Sequence, residues 1–484
     1  MTENIYRHKN GLKHINVVNN EGFSALFVVN TPVFDNSGVA HAVEHLVFRR
    51  SKAFPQTETL FQITSLTDAK INASTFANST YFHCQSNCPD TFLLAINYLL
   101  NGLIKPSFTG DDLSSEIHNG DKSGVIYREL LGSEKMSENN NKESKKNEFC
   151  YGGISSTIGK LSLNDITSFH QRFYQAHNIT LVTANADVEK ISNLVLLLPQ
   201  QNTQNKQETI KQNSSKEYRQ DYEDEEQNNK KYSPSINKLI EVYQQWLHDP
   251  YYQEIDDYQE IESSADNKNI NKSTNTDINS SPTQYDNNLP LPLINLSKIF
   301  TGKMSSNKLV DNTINNHVKK SILPGLFTKL YQQAKNEVIE TKTKESLCFG
   351  SVNDQSNTLW LARINDSEKA LATITSYIIS AYPVFLMRRC QGQCYATQAL
   401  TVDDATHLVI YSAFDINPTE RSQEIPQCLL SLSQDFTFIR QSLTLAKVKY
   451  SQAHFVDYNQ LENISHNDIS TYLKATICSS HPKV

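Results

Sequence analysis

The strongest chemical signal in this chain is five consecutive residues, His41-Ala42-Val43-Glu44-His45. On a helix, positions four apart share a face, so both imidazoles can reach one metal ion. Glu44 lies three residues after His41, close to the same face, where its carboxylate can hydrogen-bond a metal-bound water. Zinc lowers the pKa of such a water toward neutrality, and a carboxylate acting as general base completes its activation. The spacing mirrors the H-E-x-x-H arrangement. A four-coordinate catalytic zinc takes three protein ligands and keeps one position open, so a third ligand has to come from elsewhere in the chain.

The remaining metal-binding residue types offer less. Cys84/Cys88 and Cys390/Cys394 are C-x3-C pairs without the usual C-x2-C knuckle spacing, so no second metal site is expected. His83, His170 and His177 read as packing or surface residues. Eight cysteines in 484 residues do not make a disulfide scaffold, and a reducing, cytoplasmic setting is the expectation.

The H-x-x-E-H residues need elements to hold them. A helix is expected from about Gly38 to Arg49. Ahead of it, Leu12, Ile15, Val17 and Val18 form one strand-like run and Phe23 to Val29 a second, with Asn19 to Gly22 as the turn between them. Asn72 to Gln85 is rich in Thr, Phe and Tyr and reads as strands. Phe92 to Leu103 has helical apolar spacing, Ile179 to Ala184 is a short buried strand, and Val188 to Leu198 is helix-like. This order predicts an α+β domain over 1–198. A second α+β domain is expected over 290–484, with helices at 370–382 and 422–433 and strands at 395–400 and 406–414. It is a rough echo of the first.

Composition separates the two domains. Apolar residues make up 38% of the chain, below the usual share for a globular domain. The deficit lies between the domains: residues 201–235 hold only Ile210, Tyr218, Tyr222 and Tyr232 as apolar or aromatic side chains. Such stretches bury too little surface to offset ordering entropy, so 199–289 is expected to be a mostly disordered polar insertion. One amphipathic helix, 236–247, interrupts it. The net charge of −7 argues against nucleic acid as partner. No apolar run approaches 18 residues and the N-terminus has no apolar leader, so neither a membrane span nor a secretory signal is expected.

Longer segments carry a resemblance. Gly38–Phe48 (GVAHAVEHLVF) is followed by Ser51–Pro55 (SKAFP), Asn72–Tyr81 (NASTFANSTY), Gly124–Gly132 (GVIYRELLG), Tyr151–Gly153, Phe169–Tyr174 (FHQRFY) and Asn178. In order and spacing, most of residues 10–190 resemble the pitrilysin/insulinase family of zinc peptidases, the inverzincins, and in detail the presequence-protease branch. The resemblance implies one zinc per chain, with Glu129 as third ligand beside His41 and His45. Glu116 and Glu134 compete for that role on the same predicted helical stretch. Lys122 stands seven positions before Glu129, where many relatives carry a second acidic residue. Asn72 and Ala73 would lie on an edge strand that holds substrate by β-augmentation. Arg389-Cys-Gln-Gly-Gln-Cys-Tyr395 looks like the family segment whose Arg and Tyr hold substrate and stabilise the oxyanion. It departs from the family pattern at Gln393 and Ala396, and Arg388 is an alternative one residue earlier.

The implied function is a zinc metalloendopeptidase that hydrolyses unfolded peptides, with Glu44 as general base. Each domain would be a mostly antiparallel sheet covered by helices, and the two together would form half of a clamshell chamber. A second copy or a related chain would complete it, in which case Arg389 and Tyr395 could serve the other subunit's site. The rival reading is a non-catalytic peptide-binding or scaffold subunit of such a complex.

Overall fold

The computed structural model describes residues 3–18, 22–117, 124–139, 150–198, 287–304, 323–340, 349–354 and 356–478. The polar insertion expected over 199–289 lies outside the described residues apart from 287–289. So do its 236–247 helix and Lys122.

Six strands form the first sheet: β1 (Glu3–Arg7), β2 (Lys13–Val17), β3 (Phe23–Asn30), β4 (Lys70–Thr75), β5 (Ser79–Ser86) and β6 (Ile179–Ala184). Their spatial order is β1-β2-β6-β3-β5-β4. All neighbours are antiparallel except β2 and β6, which pair in parallel with Ile15 opposite Val182. The expected turn at 19–22 therefore does not join paired strands, because β6 enters between β2 and β3. A turn signal is local, whereas pairing is set by which apolar faces meet over long separations. Among the described residues β4 is a terminal strand and pairs with β5 alone, Asn72 opposite His83 and Ala73 opposite Phe82.

Among the described residues eight α-helices accompany this sheet: α1 (Val39–Val47), α2 (Thr59–Leu66), α3 (Pro89–Ile104), α4 (Gly110–Glu116), α5 (Val125–Asn139), α6 (Ser155–Ile158), α7 (Leu163–Phe173) and α8 (Val188–Leu196). In α1 the residues Ala42, Val43, Leu46 and Val47 enter the core, which leaves 41, 44 and 45 together on another face.

The C-terminal half builds a four-stranded antiparallel sheet from β7 (Phe349–Asn353), β8 (Thr358–Arg363), β9 (Ala396–Val402) and β10 (His407–Ala413), ordered β7-β8-β10-β9. Helices Leu291–Met304, Thr328–Glu340, Lys369–Ala381, Pro383–Cys390, Pro418–Gln434, Phe436–His454 and His466–Cys478 surround it. The architecture is α+β, with two mostly antiparallel sheets and helices packed on them.

One apolar cluster runs through both halves, from Leu12, Phe27 and Phe82 through Leu99 to Ile378, Phe385, Leu432 and Leu473. The seam lies where α2 meets helix Lys369–Ala381. There Gln62 donates to the Ala381 carbonyl at 3.2 Å and Ser65 to the Ser380 carbonyl at 3.2 Å. Lys449 Nζ donates to the carbonyls of Thr64 and Ser65, each at 2.9 Å, above the Tyr377 ring. A lysine at these orphan carbonyls caps the C-terminal end of α2. No single helix among the described residues is long and apolar enough to cross a membrane.

Three buried histidines lie in the first sheet and its helices, away from the H-x-x-E-H residues. His14 is fully buried, with Nε2 2.7 Å from Thr183 Oγ1. Thr183 gives its own proton to Asn16 Oδ1, so its oxygen accepts from His14 Nε2–H. Burial, helped by the charge of His8, pushes His14 down to about 3. Burial likewise lowers His83 to about 3 and His170 to about 4. An unfolded histidine titrates near 6.5. Below that pH the unfolded chain takes up a proton that folded His14 refuses, so stability is lost as pH falls from 6.5 toward about 3. Between pH 7 and pH 5 the wild type should lose about 2 kcal/mol more than His14→Gln. Urea midpoints of both at the two pH values check this, and parallel losses would count against it.

Candidate metal centre

The centre begins at the N-terminus of α1. Gly38 precedes the helix with φ +76°, and a Cβ there would come within 3.0 Å of Gly152 and Gly153. Glycine is the residue that allows both the left-handed turn and this close approach. The same approach brings the Gly152 carbonyl to His41 Nδ1 at 3.0 Å. A carbonyl only accepts, so Nδ1 carries the proton and the Nε2 lone pair is left for another partner. His45 is oriented the same way: Nδ1 lies 2.9 Å from Glu116 Oε2, an acceptor, and Nε2 is turned away from it.

Both Nε2 atoms face Glu129 on α5. Glu129 Oε1 lies 3.7 Å from His41 Nε2, and Oε2 lies 3.7 Å from His45 Nε2. These separations are too long for hydrogen bonds. They suit ligands that share an ion: two donors each about 2 Å from a tetrahedral zinc stand roughly 3.3 Å apart. The ligand atoms of His41, His45 and Glu129 all lie within 4.8 Å of one another, and among the described residues they form the single cluster of three or more such groups. Two imidazoles with their far nitrogens hydrogen-bonded, plus one carboxylate, make a chemically suitable donor set for zinc.

The rival carboxylates are engaged elsewhere. Glu134 accepts from Ser155 N at 2.7 Å and Ser155 Oγ at 2.6 Å, which caps α6. Glu116 stands behind His45 and accepts on Oε1 from Arg49 Nη1 at 3.0 Å and Arg389 Nη1 at 3.2 Å. Burial works against its charge, yet Arg389, the His45 hydrogen bond and Arg49 together hold its carboxyl well below the usual range. For His45 burial again opposes the charged form, but the Glu116 hydrogen bond and the surrounding carboxylates raise its pKa. Arg49 also binds Asp112 Oδ1 at 3.1 Å and the Cys390 carbonyl at 2.5 Å.

Glu44 is buried on the same face of α1 and accepts a short hydrogen bond from Thr75 Oγ1, the last residue of β4. Burial raises its pKa against the pull of His41 and His45. β4 thus runs past Glu44 as the terminal strand of the described sheet. Asn72 is exposed, with its carboxamide oxygen 2.9 Å from the Ala73 N–H, and Ala73 is buried.

The two arginines at the end of helix Pro383–Cys390 diverge. Arg388 is buried against Asp415 at 3.0 Å and reaches the more exposed Glu420 at 2.9 Å and Glu424 at 2.5 Å. Arg389 turns to Glu116 and lies over the Phe61 ring, so it meets the metal-site scaffold of its own chain. Tyr395 packs edge-on against Phe414, whose carbonyl accepts from Arg128, the residue before Glu129. Cys84, Cys88, Cys390 and Cys394 are buried free thiols.

Sequence reasoning assigned no role to Thr75, Arg49 or the Gly152 carbonyl, and it weighed Glu116 only as a ligand. Thr75 carried a usable signal: it shares a strand face with Ala73, two positions earlier, inside a segment already singled out.

Residues 34–143 match the family model described as Insulinase (Peptidase family M16). That stretch contains His41, Glu44, His45, Glu116 and Glu129. An uncharacterized protein of Schizosaccharomyces pombe is 27% identical over 169 residues, which are 32% of this chain and 16% of that protein. The chain thus spans less than a fifth of the length of that curated relative. Among solved structures, a protease from Helicobacter pylori aligns over 98% of this chain and 96% of its own at 13% identity and TM-score 0.31. A peptidase M16 inactive domain from Pseudomonas fluorescens aligns over 100% and 95% at 9% identity and TM-score 0.34.

Proposed function

We propose that the chain is a zinc-dependent endopeptidase of the insulinase type, acting on extended, unfolded peptides. The observation that carries this reading is the approach of one Glu129 carboxylate to the Nε2 atoms of both His41 and His45. These three residues would hold one zinc per chain. Zinc, when bound, supplies Lewis acidity to the scissile carbonyl and makes water acidic enough to attack it near neutral pH.

The protein groups do the rest. Glu44 takes a proton from the attacking water as the C–O bond forms, then delivers it to the amide nitrogen as the C–N bond breaks. Thr75 fixes the Glu44 carboxylate on the side facing β4. A peptide adding to the outer edge of β4, the last strand of the sheet among the described residues, at Asn72 and Ala73, would run past that carboxylate and be read through its main chain. Tyr395 is assigned to the substrate side of the site, by the resemblance of its segment. The same resemblance suggests the presequence-protease branch of that family. It also suggests half of a chamber, completed by a second copy or a related chain, while the sparse cysteines favour a cytoplasmic setting.

The test is zinc content by elemental analysis together with cleavage of a quenched fluorescent peptide. About one zinc per chain and cleavage that stops on chelation are expected. The double variant His41→Ala/His45→Ala should hold no zinc and cleave nothing. Zinc without cleavage would favour the non-catalytic subunit, and no zinc in the wild type would sink the reading.

A further inference from the structure

We propose that Arg389 is a positioning residue that fixes zinc ligand His45 through Glu116, and that the metal site is therefore completed by the C-terminal half of the chain. This rests on the zinc reading above. It departs from the role in holding substrate that the sequence resemblance assigns to Arg389.

Glu116 divides its two oxygens. Oε2 accepts from His45 Nδ1 at 2.9 Å, and Oε1 accepts from Arg49 at 3.0 Å and Arg389 at 3.2 Å. The carboxylate is 1% exposed, so its charge has almost no water to rely on and is answered by the two guanidinium groups. Arg49 belongs to the N-terminal half and sits just after α1. Arg389 arrives from 273 residues away. Its guanidinium is sandwiched between Glu116 and the Phe61 ring, 5.3 Å from the ring centroid, and its side chain is 14% exposed. A group held on both sides in this way is placed to orient Glu116 rather than to follow a substrate.

The rest of the same turn grips the same scaffold. The Cys390 carbonyl accepts from Arg49, and the Gly392 carbonyl accepts from Gly124 N at 2.9 Å, at the start of the helix that carries Glu129. One turn of the C-terminal half therefore touches the supports of both His45 and Glu129. Groups that hold the far nitrogen of a metal-bound histidine fix its tautomer and ring orientation, and their loss costs about 10–100-fold in metal affinity.

The experiment uses the full chain and measures zinc affinity by chelator competition, with the ligand-field spectrum of the cobalt(II) form as a second readout. Arg389→Met should weaken zinc binding about 10–100-fold and shift the cobalt bands. Arg389→Lys should recover part of the loss. In a Glu116→Gln background, Arg389→Met should add less than about threefold, because the path through Glu116 is already cut. Arg389→Gln gives the same reading if the methionine variant does not fold, as judged by circular dichroism. Unchanged zinc affinity and cobalt spectrum, with a raised KM for peptide, would overturn the proposal and return Arg389 to substrate. A wild type that takes up no zinc would sink the zinc reading itself, and this role with it.

Discussion

Glu44→Gln is expected to slow peptide cleavage by roughly 10²–10⁴-fold, the range for losing a positioned general base, with bound zinc unchanged. The substitution suits the site. Glutamine keeps the volume of a side chain that is buried on α1, and it keeps an oxygen to accept the Thr75 hydroxyl. What it loses is the basic lone pair that takes a proton from water. The three residues proposed as ligands are untouched, because the carboxylate between the two Nε2 atoms belongs to Glu129. Zinc affinity and cleavage rate are therefore predicted to separate. If zinc affinity falls with the rate, Glu44 is acting as a ligand. If the rate stays within about threefold of wild type, another group is the base. The measurement is kcat/KM on a quenched peptide beside a chelator-competition titration.

How much of this was legible in the sequence follows from the range of each interaction. α1 was readable because its two faces obey the 3.6-residue period, with Ala42, Val43 and Leu46 inward and 41, 44 and 45 on another face. β6 matched its expected span because ITLVTA is a buried run bounded by turns. β8 is not among the expected strands: Thr358 to Ala362 form a buried run without alternation, and such a run does not by itself distinguish strand from buried helix. The neighbour of β2 could not be read either, since a strand from 179–184 supplies it.

At the site, the local pair His41 and His45 was visible, and the resemblance of GVIYRELLG pointed to Glu129. Spacing alone left Glu116 and Glu134 open. The fold separates the three by their partners: the two imidazoles for Glu129, the cap of α6 for Glu134, and arginines from both halves for Glu116. Arg388 and Arg389 are adjacent, so a motif match cannot choose between them. A helix turns them about 100° apart, one into the Asp415 cluster and one toward Glu116.

Gly392→Ala is expected to destabilise the chain by about 3 kcal/mol or more and to weaken zinc binding at the same time. A Cβ at this position would stand 2.1 Å from the Ser115 carbonyl oxygen and 2.9 Å from its carbon. Both are backbone atoms of α4, so no rotamer change relieves the contact. The residue also sits at φ +73°, a conformation that costs an alanine about 1 kcal/mol or more by itself. Relief requires the turn to retreat from α4. That retreat stretches the 2.9 Å hydrogen bond from Gly124 N to the Gly392 carbonyl and draws Arg389 away from Glu116. A single methyl group would thus loosen the supports of both His45 and Glu129. Gly302→Ala is the matched control: Gly302 lies in helix Leu291–Met304, and a Cβ there meets nothing within 4 Å. Replacing a helical glycine by alanine should raise stability by up to about 1 kcal/mol and leave zinc affinity alone. Urea midpoints and zinc titrations on the two variants decide the matter. A Gly392→Ala protein with a wild-type midpoint would mean that the turn yields freely. A lowered midpoint with wild-type zinc affinity would mean that the two halves dock here without shaping the metal site.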